Sequence, residues 1–386
     1  MIDELTAAFE HTFGAAPTGV WSAPGRVNLI GEHTDYNGGL CLPIALPQRT
    51  YAAVSRRDDG VLRMASAQQD GLVEVALDEV SPERPGGWSA YVAGVLWALA
   101  KDGHEVGGLD VLVDSTVPLG AGLSSSAALE CAVAAAASDL FALGLLESAE
   151  GRARLAARCV EAENTIAGAP TGGMDQSASL LCDERSALLL DCRSGDTRQV
   201  PFDLGGEGHV LLVTDTRAEH ALVDGQYAAR REACEQAARE LGVDTLREID
   251  PSGLDDALAR LDSDEVRRRV RHVVTEIERV EAAVRALESD DLREVGRLFD
   301  ASHASLRDDY EVSCEELDVA TETARAHGAL GARMTGGGFG GSCIAIVPAE
   351  VADAVASAIG AAFADAGFAA PQSFTVTASG PAHRDA

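Results

Sequence analysis

The most informative stretch of this chain lies near its start, where residues 23–39 read APGRVNLIGEHTDYNGG. It brings one arginine, two carboxylates, an imidazole and several hydroxyl or amide groups into a short segment bounded by glycines. Ligands with many hydroxyl groups require such a density of hydrogen-bond donors and acceptors. A solvated polar loop is the alternative, but it would have fewer apolar neighbours than Val27, Leu29 and Ile30. The segment therefore indicates a sugar site.

A second segment, VPLGAGLSSSAA at residues 117–128, follows a strand-like stretch at 109–113 and precedes an alanine-rich helix. Its glycines allow the backbone to fold tightly, so that successive N–H groups point inward. The start of the helix adds a positive potential equivalent to about half a charge. The segment thus predicts a backbone cradle for phosphate. A serine at this position caps the helix or offers its hydroxyl group to Mg²⁺, and three serines in a row permit both roles.

Other nucleotide and cofactor sites conflict with the sequence. Lys101 is the only lysine and stands in a turn-like KDG, so neither a Walker-type loop nor a pyridoxal Schiff base has a suitable residue. Phosphate chemistry must then use arginine, magnesium or backbone N–H groups. The G-x-G at 120–122 resembles part of a dinucleotide fingerprint, but Ser125 replaces the third glycine and Asp139 lies inside the following helix.

The third segment, MTGGGFGGS at residues 334–342, has five glycines in six positions and precedes an apolar strand at 343–347. Ordering so many glycines costs conformational entropy. A flexible hairpin offers no reason for this cost, whereas a close approach of the backbone to another group does. The segment predicts a loop whose bare backbone closely approaches a ligand or another part of the chain.

Between the second and third segments, Asp175 follows the glycine pair Gly172-Gly173. A carboxylate in such a turn can act as a general base, and Glu163 upstream offers a second carboxylate for a metal ion. A lone aspartate in a turn is more often structural, so this interpretation depends on the neighbouring motifs.

The composition excludes several classes of partner. Lys and Arg number 31 against 62 Asp and Glu, which gives a formal net charge of −31. Nucleic acids and anionic membranes repel such a chain. The eight cysteines form no C-x-x-C pair, so we expect reduced thiols. The acidic start is unlike a signal peptide and no apolar run has membrane-spanning length, which favours a cytoplasmic location.

A length of 386 residues with 46% hydrophobic residues suits two or three domains. Turn-forming residues near 195–208 suggest a boundary, so we predict an N-terminal domain at 1–200 and a C-terminal domain at 201–386. One long helix should carry an apolar face made of Val266, Val270, Val273, Ile277, Val280, Val284 and Leu287. Packing of this face inside the protein is favoured over a coiled-coil dimer, and we expect a monomer.

In this order the three segments resemble the GHMP small-molecule kinases, and residues 25–36 resemble the signature of the galactokinases among them. Residues 118–127 are similar to the family's ATP-phosphate loop, and residues 335–342 to its third motif. A further match is YxxRRxxCE at residues 227–235. The resemblance covers nearly the whole chain. It implies an α+β fold of two domains, with the active site in the cleft between them.

The resemblance also implies residue roles. The expected galactose contacts are Glu32, His33, Thr34, Asp35, Gly172, Asp175 and Tyr227. The expected ATP contacts are Gly120, Ala121, Gly122, Leu123, Ser124, Ser125 and Ser126. Ser126 and Glu163 would hold Mg²⁺, the cofactor that accompanies ATP. Asp175 would be the catalytic base, with Arg26 as its partner.

The implied reaction transfers the γ-phosphoryl group of ATP to the anomeric hydroxyl of α-D-galactose, giving galactose 1-phosphate and ADP. One alternative is a GHMP kinase for another sugar, such as N-acetylgalactosamine or arabinose. Another is a regulatory protein that binds galactose and ATP without turnover. The simultaneous presence of Arg26, Ser126, Glu163 and Asp175 favours an enzyme.

Overall fold

The computed structural model describes residues 1–218 and 223–386. Its strands, numbered along the chain, are β1 (Gly19–Asn28), β2 (Leu40–Cys41), β3 (Pro43–Arg57), β4 (Val61–Ser66), β5 (Gln69–Ala76), β6 (Gly108–Ser115), β7 (Ser186–Asp191), β8 (Thr197–Pro201), β9 (His209–Asp215), β10 (Gly331–Thr335), β11 (Ser342–Pro348), β12 (Gln372–Val376) and β13 (His383–Arg384). Its α-helices are α1 (Ile2–Phe13), α2 (Trp88–Lys101), α3 (Ser125–Leu140), α4 (Ala149–Ala162), α5 (Met174–Leu181), α6 (Val223–Leu241), α7 (Leu254–Ala259), α8 (Asp264–Glu288), α9 (Leu292–Ser305), α10 (Glu315–Ala326) and α11 (Ala352–Ala366). This mixture of helices and strands confirms the predicted α+β class.

The first sheet has six strands in the order β13-β1-β3-β6-β4-β5. Neighbouring residues of a strand point to opposite faces, so each strand serves two cores. On β1, Val20 belongs to the cluster under α1, whereas Trp21 belongs to the larger cluster formed with α2 and α3. The indole N–H of Trp21 donates to Asp139 on α3 at 2.7 Å, which gives Asp139 a structural partner.

A second, antiparallel sheet has the order β10-β11-β9-β12, and a third has the order β2-β7-β8. The second sheet contributes to the largest apolar cluster together with α8, α9 and α11. The predicted division near residue 200 stays a prediction. The last strand, β13, lies in the predicted C-terminal range but belongs to the first sheet, because it pairs with β1 through Trp21 and Arg384.

The long helix predicted from the seven apolar positions is α8 (Asp264–Glu288). It begins after Ser263, whose hydroxyl oxygen accepts the backbone N–H of Val266 at 3.3 Å. All seven apolar residues are buried, and the helix packs against α6, α9, β2 and β8. The helix therefore buries this face inside its own chain, as the favoured interpretation required.

The three predicted segments become loops that meet. The first loop (residues 29–39) follows β1, the glycine-serine loop (residues 117–124) joins β6 to α3, and the third loop (residues 336–341) joins β10 to β11. The backbone N–H of Arg26 donates to the carbonyl oxygen of Leu123 at 3.1 Å. Gly25 permits this approach, because an added Cβ would lie 2.7 Å from the same oxygen.

Neither a disulfide bond nor a membrane-spanning helix occurs among the described residues. All eight cysteines lie within the described ranges and none forms a disulfide bond. Among residues 1–218 and 223–386, no helix combines the length and apolar character that a membrane crossing requires.

Candidate active site

Arg26 and Asp175 form an ion pair at the centre of the candidate site. Asp175 stands in the first turn of α5, behind Gly173, whose φ of 94° lies in the left-handed region. The guanidinium group donates from Nε to Oδ1 at 2.7 Å and from Nη2 to Oδ2 at 3.0 Å. A third bond runs from Nη1 to the carbonyl oxygen of Gly122 at 2.7 Å. This two-point pairing fixes the position and orientation of the carboxylate.

Two cavities open beside this ion pair. The smaller cavity, of about 170 Å³, is bordered by His33, Asp35 and Tyr227. The larger cavity, of about 440 Å³, is bordered by the glycine-serine loop, the start of α3 and the third loop. Both members of the ion pair line both cavities. A group bound in one cavity therefore meets a group bound in the other at the carboxylate of Asp175.

The carboxyl group of Asp35 borders the smaller cavity. Burial, and next the charge of Asp175, raise the pKa of Asp35 from 3.8 to about 6. Gly172 packs directly behind it, since an added Cβ would lie 2.0 Å from Oδ2 of Asp35. Glycine is the only residue that fits there. The carboxylate oxygens of Asp35 suit the hydroxyl groups of a ligand.

His33 is held in the smaller cavity with a φ of 62°, an uncommon value for a residue with a side chain. Its Nδ1 lies 2.8 Å from the hydroxyl oxygen of Tyr36, and its Nε2 lies 3.2 Å from the carbonyl oxygen of Gly337. Burial lowers the pKa of His33 to about 3, so the imidazole is neutral. Its ring packs against Tyr227 and Tyr310, with centroid distances of 5.5 Å and 4.7 Å.

Glu32 also lines the smaller cavity, but its carboxylate serves the protein itself. One oxygen accepts from the guanidinium group of Arg333. The other accepts from the hydroxyl of Thr335 at 3.2 Å and from the N–H of Gly336 at 3.1 Å. Glu32 therefore anchors the first loop to β10 and the third loop, and its predicted contact with a sugar stays a prediction.

Thr34 and Ala121, both predicted as ligand contacts, do not border these cavities. Thr34 is fully buried, with its hydroxyl oxygen 2.7 Å from the carbonyl oxygen of Leu40. Ala121 is also buried, and its carbonyl oxygen accepts from the hydroxyl of Ser342 at 2.7 Å. Their polar groups close loops inside the protein, and the predicted ligand contacts of both residues stay predictions.

The glycine-serine loop forms the expected cradle. Gly120 and Gly122 have φ values of 74° and 71°, and Ser124 adopts the same left-handed region at 60°. Helix α3 starts at Ser125, so its N-terminus borders the larger cavity. The N–H groups there favour an anion. The hydroxyl of Ser124 donates to Oδ2 of Asp175 at 2.5 Å, which joins the loop to the ion pair.

Ser126 and Glu163 are predicted to hold a metal ion, and the hydroxyl of Ser126 acts to lower the pKa of Glu163. Glu163 ends α4 in a π-turn and accepts from Nε2 of Gln176 at 2.5 Å. Burial, and next the charge of Asp175, raise the pKa of Glu163 to about 7. A hydroxyl and a carboxylate are the hard oxygen donors that Mg²⁺ prefers, and a cation would stabilise the ionised carboxylate. These residues therefore fit Mg²⁺, although no group of three His, Cys, Asp or Glu residues forms a metal cluster in the described part of the chain.

An aromatic cavity of about 230 Å³, which was not predicted from the sequence, lies next to the start of α3. It shares Ser125 and Ser126 with the larger cavity and is lined by Trp88, Tyr91 and the largely exposed Leu119. A signal was present, because Trp88 and Tyr91 are three residues apart on α2 and therefore share one side of the helix.

Arg333 was also overlooked, although it is fully buried on β10. Its guanidinium group donates to the carbonyl oxygens of Asn28 and Leu29 at 3.3 Å and 2.8 Å, in addition to Glu32. A buried arginine needs such partners, and here they come from the first loop, from its start and from Ser302 on α9, whose hydroxyl oxygen accepts from Nε at 3.2 Å. An arginine within the otherwise apolar strand was the available signal.

Comparison with protein families gives three matches along the chain. Residues 7–56 match the galactokinase galactose-binding signature, residues 90–183 the GHMP kinases N terminal domain, and residues 283–365 the GHMP kinases C terminal domain. The first match contains Arg26 and the first loop, and the second contains the glycine-serine loop and Asp175.

Relatives resemble the chain over almost its whole length. A galactokinase of Streptomyces coelicolor is 55% identical over 378 residues, 97% of this chain and 96% of that protein. A galactokinase of Mycobacterium tuberculosis is 46% identical over 91% of this chain and 95% of its own length.

Solved structures agree with these sequence matches. The crystal structure of Lactococcus lactis galactokinase complexed with galactose has a TM-score of 0.93 at 32% identity, over 99% of both chains. Methanococcus jannaschii mevalonate kinase has a TM-score of 0.68 at 15% identity, over 93% of this chain and 98% of that one. The second similarity concerns the fold alone.

Proposed function

Since the chain belongs to the galactokinase family of the GHMP kinases, we propose the reaction in which the γ-phosphoryl group of ATP passes to the anomeric hydroxyl of α-D-galactose. The products are galactose 1-phosphate and ADP. The protein is thus an ATP-dependent sugar kinase.

One observation carries the assignment of the site. The ion pair of Arg26 and Asp175 lines both the smaller cavity and the larger cavity. Phosphoryl transfer requires the acceptor hydroxyl and the terminal phosphate to meet at one point, held in line. A carboxylate and a guanidinium at the shared wall supply the two charges that such a reaction uses.

Galactose occupies the smaller cavity in this proposal. Asp35 accepts hydrogen bonds from sugar hydroxyls, the imidazole of His33 donates one from Nε2, and Tyr227 closes the wall. Glu32, which also lines this cavity, holds the third loop against the first loop. Gly172 contributes by leaving room for the carboxylate of Asp35.

Asp175 acts on the anomeric hydroxyl, as a base or by orienting it for attack. The transition state of phosphoryl transfer is loose, so positioning and charge stabilisation matter more than a strong base. Arg26 holds Asp175 by direct pairing and faces the transferring group with its positive charge. The bond from Ser124 to Asp175 keeps the carboxylate aligned with the phosphate cradle.

ATP occupies the larger cavity and the aromatic cavity together. The N–H groups of residues 120–126 bind its phosphates at the start of α3, and Trp88 with Tyr91 contacts the nucleoside. The two cavities are neighbours that share the lining residues Ser125 and Ser126. The chain's charge of −31 does not prevent this, since screening limits its reach to about 8 Å at physiological salt.

Mg²⁺ would be held by the hydroxyl of Ser126 and the carboxylate of Glu163. When bound, the ion neutralises charge on the phosphate oxygens of ATP. The buried carboxylate of Glu163, hydrogen-bonded to Gln176, supports this assignment. The monomeric state and the cytoplasmic location predicted from the sequence stay predictions.

The test is a panel of sugars assayed with Mg-ATP by following ADP release. We expect turnover with galactose and little or none with glucose, arabinose and N-acetylgalactosamine. Turnover with N-acetylgalactosamine or arabinose in preference to galactose would assign the protein to another sugar. Binding of galactose by calorimetry, without ADP release, would identify a sensor instead of an enzyme.

A further inference from the structure

A chain of hydrogen bonds runs from His33 away from the smaller cavity into the protein. Nδ1 of His33 lies 2.8 Å from the hydroxyl oxygen of Tyr36, which lies 2.8 Å from that of Tyr310. The hydroxyl of Tyr310 in turn lies 3.2 Å from Sγ of Cys234. At the other edge of the imidazole, Nε2 faces the carbonyl oxygen of Gly337 at 3.2 Å.

The direction of each bond follows from its partners. A carbonyl oxygen only accepts, so Nε2 of His33 carries the hydrogen towards Gly337. Because the ring is neutral, Nδ1 has a lone pair and must accept from the hydroxyl of Tyr36. The oxygen of Tyr36 is then free to accept, and the hydroxyl of Tyr310 donates to it. The thiol of Cys234 donates at the end of the chain.

We propose that Tyr36 and Tyr310 are positioning residues that hold His33 in the Nε2–H tautomer, so that its outer nitrogen donates to a sugar hydroxyl. This inference rests on the proposed galactose site. In the sugar-free protein the same hydrogen is directed at Gly337, in the longest bond to His33. A sugar hydroxyl therefore replaces the hydrogen bond to Gly337 at a lower cost in free energy than the bond to Tyr36.

The packing around this chain of hydrogen bonds keeps the direction of each bond fixed. Tyr310 is fully buried in the π-turn Leu306–Tyr310, and its backbone carbonyl oxygen accepts from Nε of Arg230 on α6 at 2.8 Å. Ring contacts fix the other members: the centroids of Tyr36 and Tyr227 lie 5.6 Å apart. Buried hydroxyls must keep their partners, so reversing one bond would leave a donor or acceptor unpaired.

The opposite tautomer would be unfavourable at both nitrogens. It would direct a lone pair of Nε2 at the carbonyl oxygen of Gly337, and Nδ1–H would meet the hydrogen of Tyr36. Without a hydroxyl at residue 36, Nδ1 loses its donor and the preference for one tautomer weakens. Tyr36→Phe keeps the ring and removes only the donor.

The direct test uses ¹⁵N correlation spectra of the histidine side chains in the protein without sugar. We expect Nδ1 of His33 to show the shift of an unprotonated nitrogen and Nε2 that of a protonated one. His33→Asn identifies the signal among those of the nine histidines. In Tyr36→Phe the two shifts should move towards each other, as a mixture of tautomers requires. A protonated Nδ1 in the unmodified protein would overturn the inference.

Kinetics supply the second test, under saturating ATP. Tyr36→Phe should raise the KM for galactose about threefold to tenfold, the range for one neutral hydrogen bond, with kcat within about twofold. Tyr310→Phe should have a smaller effect in the same direction, because Tyr36 can still donate. Tyr51→Phe, beside α1 and outside the chain, is the matched control and should leave KM unchanged.

The proposed phosphorylation of galactose and the proposed tautomer of His33 can fail separately. If the unmodified protein does not phosphorylate galactose, the proposed function fails, while the sugar-free spectrum still decides the tautomer. If galactose is phosphorylated and Tyr36→Phe retains both the spectrum and the KM of the unmodified protein, Tyr36 does not position His33. Should Tyr36→Phe fail to fold, the spectrum of Tyr310→Phe and that of the unmodified protein still decide.

Discussion

The first loop presents side chains to its cavity, whereas the glycine-serine loop presents its backbone. Asp35 and His33 carry the polar atoms of the smaller cavity, but the larger cavity is bordered by glycines and by the N-terminus of α3. Backbone N–H groups are positioned by φ and ψ, which glycines permit locally. Side-chain atoms require their neighbours to hold each rotamer, and these neighbours come from distant parts of the chain.

The anchors of the first loop lie in the C-terminal half. Glu276 on α8 accepts from the N–H of Gly31 at 3.0 Å and from the hydroxyl of Ser302 at 2.6 Å. Burial opposes ionisation of Glu276, but the nearby positive charges, first that of Arg279, outweigh it and lower the pKa to about 2. The shape of the smaller cavity is therefore sensitive to the packing of α8 and β10. The larger cavity depends mainly on the turn of the glycine-serine loop.

The largest effect should come from the residue that both cavities share. Asp175→Asn keeps the side-chain shape but removes the charge, so turnover should fall by about 10² to 10⁴-fold. Galactose binding, measured by calorimetry, should persist. Near-normal turnover would remove Asp175 from the mechanism. Arg26→Ala should also lower turnover more than it weakens sugar binding, because its charge acts on the transition state.

The sugar side is tested by Asp35→Ala, which removes a charged acceptor. Hydrogen bonds to a charged group are worth about 1.5 to 3 kcal/mol, so galactose affinity should fall by roughly 10 to 150-fold. The KM for ATP should change much less. An unchanged KM for galactose, or equal phosphorylation of glucose, would show that the first loop is not the sugar site.

The same residue predicts a pH dependence of stability. The pKa of Asp35 is raised from 3.8 to about 6, so the folded protein binds this proton more tightly than the unfolded chain does. Its contribution to stability is present below about pH 4 and is lost as the pH rises through about 6. Asp35→Asn should therefore raise the free energy of unfolding at pH 7.5, by roughly 1 to 2 kcal/mol, and have little effect near pH 4.

Denaturant unfolding at the two pH values measures this difference. The same titration predicts that the KM for galactose in the unmodified protein rises as the pH falls below about 6, because protonated Asp35 loses an acceptor. Equal stability of the two proteins at both pH values would contradict the raised pKa.

The phosphate side is tested by Gly122→Ala. The φ of 71° penalises a side chain, although no atom lies closer than 3.9 Å to an added Cβ. The strain of about 1 kcal/mol should distort the cradle and raise the KM for ATP about twofold to tenfold, without changing that for galactose. Gly360→Ala on α11, with open space around the added Cβ, is the control. A rise in the KM for galactose alone would contradict the backbone role.

The smallest effect should follow Ser126→Ala. Loss of one oxygen ligand should raise the Mg²⁺ concentration for half-maximal rate by about twofold to fivefold. Ser357→Ala on α11 is the matched control, since its exposed hydroxyl bonds only its own helix. If Ser126→Ala lowers thermal stability and leaves the Mg²⁺ dependence unchanged, the serine is a helix cap, worth about 1 kcal/mol.

Local patterns were enough to predict the long helix α8 and the tight turn of the glycine-serine loop. In each case the relevant physics acts within a few residues: glycine permits positive φ, serine begins a helix, and the apolar spacing defines one face of α8. The resemblance of the first segment to the galactokinase signature likewise needed only consecutive residues, and the comparisons confirm it.

The orientation of individual side chains depended on contacts far apart in sequence. Thr34 and Asp35 are adjacent, yet Thr34 is fully buried and bonded to Leu40, whereas Asp35 borders the smaller cavity. Glu32 accepts a hydrogen bond from Arg333, 301 residues later in the sequence, and so anchors the first loop. No local pattern specifies such partners, because which rotamer a buried polar group adopts depends on the donors that folding brings to it.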